Sequence, residues 1–217
     1  GSLGHVASFS FQSSKNLNSG EGGILITSDD TLGDRCRSLH NFGRVAGGAW
    51  YEHHLLGANY RMTEFQGALL QCQMDRLEEQ TRTRDANGRY LNRRLSKIPG
   101  ITPQARTEQQ TLHPYHLYPF RYDERVFGAP RGNFIKALQA EGIPASEGYT
   151  LPLYRQPLFT YLNFGPYTGY RATHPDLDYR KTQCPVCEQL CAGEGAWLPQ
   201  QTLLGTRQDM DDIANAF

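Results

Sequence analysis

Between residues 63 and 98 the chain carries one helical signal long enough to organise everything around it. Thr63 followed by Gln66 has the form of a capping box, in which a hydroxyl and an amide side chain satisfy each other's backbone N–H groups at a helix start. Beyond it Phe65, Leu69, Leu70, Leu77, Leu91, Leu95 and Ile98 fall at helical spacing. The polar stretch from 78 to 87 and Gly88 mark an expected bend or break, so the segment reads as one long helix or two in series. Pro99-Gly100 ends it.

Upstream, residues 6–12 alternate in the manner of a strand, and 22–27 form a second short run rich in β-branched residues. The serine-, asparagine- and glycine-rich stretch between them has turn chemistry, which puts Lys15 on a loop joining two strands. Asp29-Asp30-Thr31 caps a helix running to about Asn41 and ended by Gly43, and 43–57 reads as a glycine-rich surface loop. Downstream, 115–122 predicts a strand, 133–141 a helix stopped by Gly142, and 209–217 a terminal helix. Residues 149–170 read as one long aromatic, proline-rich loop whose aromatic content argues against disorder. Two domains follow from this order, 1–100 and a smaller one at 101–217.

Charge narrows the partners. Lys plus Arg and Asp plus Glu both number 22, so no long-range field draws nucleic acid or an anionic membrane. No apolar run approaches the roughly 20 residues that span a bilayer, and the amino terminus lacks signal-peptide regions. The expected compartment is the cytoplasm and the expected partner a small molecule or a protein. Cys184, Cys187 and Cys191 invite a metal reading, but three thiols at i, i+3, i+7 lack a fourth ligand. They read instead as small hydrophobes buried along one face of a short helix, with no metal.

A lone lysine in a serine-rich loop is ordinarily solvated and inert. Here Ser10, five residues before Lys15 on the alternating strand, and the glycine-rich loop after it offer hydroxyl and backbone N–H donors to a phosphate. An amine beside a phosphate site is what pyridoxal phosphate requires, since an aldehyde cofactor needs an amine partner and donors for its phosphate.

The segment Ser8-Phe9-Ser10-Phe11-Gln12-Ser13-Ser14-Lys15-Asn16-Leu17-Asn18-Ser19-Gly20-Glu21-Gly22-Gly23 resembles the cofactor-lysine signature of the DegT-type sugar aminotransferases. Gly57-Ala58-Asn59-Tyr60-Arg61-Met62-Thr63-Glu64 resembles a second segment of that family, and Leu203-Leu204-Gly205 with Asp209-Met210 its closing motif. The resemblance implies the α/β aspartate-aminotransferase fold (fold type I). Residues 1–100 would be the carboxy-terminal part of its large cofactor domain with the interdomain helix, and 101–217 the small α+β domain. It implies Lys15 as the lysine that forms the Schiff base with pyridoxal phosphate, Ser10 as a phosphate ligand and Gln12 near the cofactor. Asn59 and Arg61 would reach the cofactor phosphate of the other subunit in a homodimer with shared active sites. The alternative for Arg61 is a surface ion pair, although a positive charge at a helix start opposes the helix dipole.

The implied reaction moves an amino group from glutamate or glutamine to a nucleotide-linked keto-sugar or a keto-cyclitol. Residues 149–159 occupy the acceptor-shaping region and look closer to the cyclitol group. His113, His116, Tyr149 and Tyr154 are candidates for hydroxyl contacts, with packing over a domain interface as the rival role. The family's chains are longer and place the lysine near their middle. Their preceding half supplies the acid for the pyridine nitrogen, the stacking aromatic and a helix amino terminus for the phosphate, and no residue here is expected to replace these. The rival readings are a truncated or non-catalytic binding or regulatory member, against which retention of Lys15 counts, and a dehydratase on the same fold, in which histidine replaces the lysine.

Overall fold

The computed structural model describes residues 3–165, 169 and 174–217. Their contacts divide the chain into two units, Gly1–Gln80 and Thr81–Phe217. The division falls inside the long helix, ahead of the boundary at residue 100 expected from the sequence.

In the first unit β1 (Ala7–Ser10) and β2 (Gly23–Ile26) pair antiparallel, Ala7 opposite Ile26 and Ser10 opposite Gly23. Next comes α1 (Asp30–His40), started by Asp29, whose carboxylate accepts the Leu32 N–H at 3.0 Å and so satisfies a donor that every helix start leaves open. Then α2 (Glu64–Leu95) runs for 32 residues without interruption. Its capping box forms: the Thr63 N–H donates to Gln66 Oε1 at 3.0 Å, and the Gln66 N–H to Thr63 Oγ1 at 3.3 Å. The break expected near Gly88 is absent. Glycine stands there for proximity, because a Cβ at 88 would lie 2.4 Å from Cε2 of the buried Tyr115 ring.

In the second unit β3 (Ile101–Pro103), β4 (Leu117–Tyr122), β5 (Ser146–Glu147) and β6 (Gly195–Pro199) form an antiparallel sheet in the order β3-β4-β6-β5. Sequence alternation predicts only β4, since the others are too short to show a period of two. Pro119 sits within the inner strand β4 at no cost to the ladder. Its carbonyl accepts from the Gln104 N–H, just past the end of β3, so an N–H at 119 would have pointed beyond its neighbour's last residue. The buried face of the sheet presents Tyr118, Phe120, Tyr122, Ala196 and Leu198. It meets Leu91 and Leu95 of α2, Ile135 and Leu138 of α4 (Arg131–Ala140, following the short α3, Glu124–Phe127), and Met210 and Ile213 of α7 (Arg207–Ala216).

The expected 149–170 loop contains a 3-10 turn at Leu153–Arg155 and the short α5 (Pro157–Thr160); its residues 166–168 and 170 lie outside the described ones. The helix expected at 184–191 is α6 (Pro185–Gln189), continued by a π turn over Leu190–Glu194. Its cysteines are not the buried hydrophobes expected. Cys184 and Cys187 are exposed and Cys191 is half-buried. Among the described residues, no helix is long and apolar enough to cross a membrane.

One buried charge network joins α2 to the segment that follows β3. Asp85 pairs with Arg106 and with Arg89, the latter at 2.9 Å, and accepts the His113 N–H at 3.0 Å. Burial alone would raise the Asp85 carboxyl, but these partners outweigh it and hold it below the ordinary carboxylate value.

Two expectations follow. Gly88→Ala places a methyl inside the Tyr115 ring and should cost about 1–3 kcal/mol in chemical denaturation. Asp85→Asn leaves the mostly buried Arg106 without its charge partner and should cost roughly 3–5 kcal/mol at neutral pH. A depressed folded pKa contributes stability that is present above the unfolded value and lost as pH falls through the folded one. The difference between wild type and Asp85→Asn should therefore shrink on acidification below the ordinary carboxylate range, as urea titrations at several pH values would show.

Candidate active site

Lys15 sits where the hairpin between β1 and β2 is held at every level. At its base the Phe11 N–H donates to Gly22 O and the Ser19 N–H to Phe11 O, both at 2.9 Å. Within the loop the Lys15 N–H donates to Gln12 O at 2.9 Å, and the Lys15 carbonyl accepts Asn18 Nδ2 at 3.1 Å. Both peptide groups flanking the lysine Cα are thus bonded, and the residue is half-buried. Helix α2 grips the same loop from outside. Gln73 accepts the Asn18 N–H at 3.2 Å and donates to Asn18 O at 2.6 Å, while Gln66 Nε2 donates to Glu21 O at 2.8 Å.

Ser10 and Gln12 are joined to the lysine turn in different ways. The Gln12 N–H donates to Ser10 Oγ at 3.2 Å, so the serine oxygen accepts and its own proton remains to donate. Gln12 Oε1 accepts both the Ser14 N–H at 2.9 Å and the Ser14 hydroxyl at 2.6 Å, and its amide donates to Ser13 at 2.8 Å. Its side chain shapes the turn that presents Lys15. Ser10 is exposed.

Asn59 and Arg61 form a second group. The 58–60 segment bonds to the end of α1, with the Ala58 N–H on Leu39 O and the Tyr60 N–H on His40 O, both at 2.9 Å. That approach needs Gly57, where a Cβ would fall 2.4 Å from the Gly43 nitrogen. Arg61 Nε donates to Asn59 Oδ1 at 2.9 Å, and the guanidinium lies 5.3 Å from the centre of the Phe42 ring. Both side chains are exposed, their partners being an amide and an aromatic face in place of the surface ion pair weighed from sequence. The side chain of Met62, next to Arg61, reaches the base of the lysine hairpin: a Cβ at Gly22 would meet the Met62 methyl at 3.5 Å.

The donor set fits a phosphorylated aldehyde: one amine on a fixed turn, a serine hydroxyl two bonded residues away, and an arginine and an amide already oriented on each other. Gln73, Gln66 and Asn18 were not among the sequence candidates. Nothing in a helical glutamine signals a backbone clamp to a residue 55 positions away.

In the second unit the hydroxyl candidates have structural partners. His113 Nδ1 accepts the Tyr115 N–H at 3.0 Å and its ring lies on that tyrosine with centroids 4.0 Å apart; burial, then Arg106, lowers its pKa. Tyr149 packs edge-on against Trp197. The Tyr154 hydroxyl donates to Glu188, which also pairs with Arg155 at 2.8 Å. The Tyr154 hydrogen bond, more than the Arg155 charge, holds Glu188 below its usual range.

The chain is 36% identical over 233 residues to the L-glutamine:2-deoxy-scyllo-inosose aminotransferase of Streptomyces fradiae, covering 100% of this chain and 53% of that protein. It is 34% identical over 227 residues to the enzyme of that name from Streptoalloteichus tenebrarius, with the same coverage. Its structure superposes on the crystal structure of 3-amino-5-hydroxybenzoic acid synthase with a TM-score of 0.81 at 25% identity, covering 100% of this chain and 54% of that one. The architecture is that of fold-type-I aminotransferases. The chain spans about half the length of the curated relatives it matches. Residues 1–217 match the DegT/DnrJ/EryC1/StrS aminotransferase family throughout, and the chain belongs to that family.

Proposed function

We propose that this chain carries the lysine-bearing half of a pyridoxal-phosphate-dependent aminotransferase that moves the amino group of L-glutamine onto a keto-cyclitol. The observation that carries the reading is the fixation of Lys15: both of its flanking peptide groups are hydrogen-bonded and its loop is gripped by Gln73 and Gln66. A solvated surface lysine needs no such scaffold. Donor and acceptor are supported by the names of the relatives, which use glutamine and a deoxy-inosose.

When bound, pyridoxal phosphate supplies the electron sink that lets a proton leave the carbon bearing the amino group. The Lys15 amine would hold the cofactor through its aldehyde, and would serve as the base that takes that proton and the acid that returns it. Ser10 donates its hydroxyl proton to the phosphate. Gln12 keeps the turn in shape beside it. Asn59 and Arg61 supply an amide and a guanidinium to the phosphate in the partner of a homodimer, an exposed pair suited to a ligand outside its own chain. Residues 1–100, with the interdomain helix, belong to the large cofactor domain and 101–217 to the small one, in a cytoplasmic enzyme whose partners are small molecules.

Borohydride reduction of the cofactor-loaded protein, followed by peptide mapping, should find the added mass on Lys15. A modified peptide lacking Lys15, or none with cofactor demonstrably bound, would remove the assignment.

Sharing of the site is tested by mixing. Lys15→Ala should be inactive, and Arg61→Ala weakened by roughly 1.5–3 kcal/mol in phosphate binding. If Arg61 acts across the dimer, a mixed dimer gathers both defects in one site and leaves the other intact, so co-refolding should restore up to about half of wild-type activity per dimer. Recovery no greater than the average of the two variants, with heterodimers shown to form, would place Arg61 in its own chain's site.

A further inference from the structure

The first unit holds a cavity that the amino-transfer reading leaves unused. It lies between the last two turns of α1 and the chain at 44–46 and 55, encloses about 550 Å³, and is lined by none of Lys15, Ser10, Gln12, Asn59 or Arg61. Its wall is fixed in advance. Gly43, at φ 75°, passes so close to Leu55 that a Cβ would fall 1.7 Å from the Leu55 carbonyl oxygen, and the Gly43 carbonyl accepts the His54 and Leu55 N–H groups at 2.7 and 3.2 Å.

Three side chains lining the cavity carry buried polar atoms with no hydrogen-bond partner: Ser38 Oγ, Asn41 Oδ1 and Arg44 Nε. Ser38 is 4% exposed and stands inside a helix, where a serine hydroxyl can bond back to the carbonyl one turn earlier; here it does not. Folded chains rarely leave such atoms orphaned, and three around one space mark a place where something outside the chain pairs them. The surplus charge says what kind of group that is. Arg37 pairs with Asp34 at 2.6 Å, but among the described residues neither Arg35 nor Arg44 has a carboxylate partner. Arg44 rests over the Phe42 and Tyr51 rings at 5.7 and 5.3 Å, contacts that steady a guanidinium without giving its Nε–H an acceptor. Cations at a helix end ordinarily serve its open carbonyls. At the end of α1 none is open: Arg37 O accepts from His40 Nδ1 at 2.6 Å, Ser38 O from the Gly43 N–H at 2.7 Å, and Leu39 O and His40 O from the Ala58 and Tyr60 N–H groups, both at 2.9 Å. Water can pair orphaned atoms, but it leaves the charge unbalanced.

We propose that this cavity binds a small hydroxylated organic phosphate. The phosphate lies between Arg35 and Arg44, with Ser38 Oγ and Arg44 Nε donating to its oxygens. Asn41 Oδ1 accepts from a hydroxyl of the ligand, and the ligand's carbon skeleton rests on Val45, Ala46 and Leu55. None of these contacts involves the cofactor residues, so the site stands or falls apart from the amino-transfer reading.

Isothermal titration at low ionic strength, in a buffer free of phosphate and with one equivalent of pyridoxal phosphate, should find one sn-glycerol 3-phosphate bound per chain, weaker binding of inorganic phosphate and none of glycerol. Arg44→Gln removes the buried donor and should weaken binding roughly tenfold or more. Arg35→Gln, at an exposed position, should fold normally and weaken binding several-fold, by a larger factor at low salt than at high. Ser38→Ala should also weaken binding, while the ligand-free protein unfolds at the same urea concentration as wild type or a higher one, because a buried orphan hydroxyl has been removed. A lower urea midpoint with unchanged binding would make Ser38 a residue of the fold and overturn its part in the site. Arg61→Ala should bind as wild type does. No heat from millimolar sn-glycerol 3-phosphate, equal binding of glycerol, or binding lost in Arg61→Ala yet kept in Arg35→Gln and Arg44→Gln would overturn the site. The wild-type titrations and Arg35→Gln decide it even if a variant at a buried position fails to fold.

Discussion

Three amide side chains on one helix hold the backbone segments on which the rest of the structure depends. Gln66 and Gln73 of α2 bond to Glu21 and Asn18 in the first unit, and Asn87, buried on the same helix, donates to Leu203 O at 3.0 Å and Gly205 O at 2.9 Å in the second. Each replaces water at a carbonyl that no strand or helix would otherwise satisfy, which is the condition for bringing irregular backbone against a helix. An apolar stripe alone would have packed strands and helices. It could not have immobilised a polar loop.

That division explains which parts of the fold were legible. The helix starts at Asp29 and Thr63 and the stop at Gly142 depend on neighbours within four residues, and local chemistry announces them. β6 depends on pairing with Leu117 through Arg121, and Gly195-Ala-Trp-Leu-Pro199 contains too few residues to declare a period. Gly88 misled for the same reason: a helix-weakening residue in sequence is, in space, the clearance for a tyrosine ring, and a contact 27 residues away decides between the two. The cysteines misled because spacing puts residues on one helix face without saying that anything covers that face, and Cys184 and Cys187 are exposed.

The candidate site was legible as residue types and illegible as mechanics. Lys15, Ser10 and Gln12 lie within one turn of chain, and the demand for an amine near a phosphate donor singles them out. What sequence could not show is the work of Gln12, whose side chain is engaged with Ser13 and Ser14, or the pairing of Asn59 with Arg61. Spacing places two residues on one segment; it does not say that one orients the other.

The arrangement around Lys15 also bears on why a loop can serve as a catalytic platform at all. Side chains on loops are placed less reproducibly than those on helices or strands, and a misplacement of about 1 Å can cost on the order of a hundredfold in rate. A lysine side chain is long and unbranched, which the proposed role needs if its amine is to leave and return during a reaction. Precision is supplied to the Cα instead, by the hydrogen bonds of its flanking peptide groups to Gln12 O and Asn18 Nδ2 and by Gln73 behind Asn18. In the role proposed for Lys15, the two demands fall to different parts of the residue: the side chain would move protons between positions, and the bonded backbone would return it to the same place.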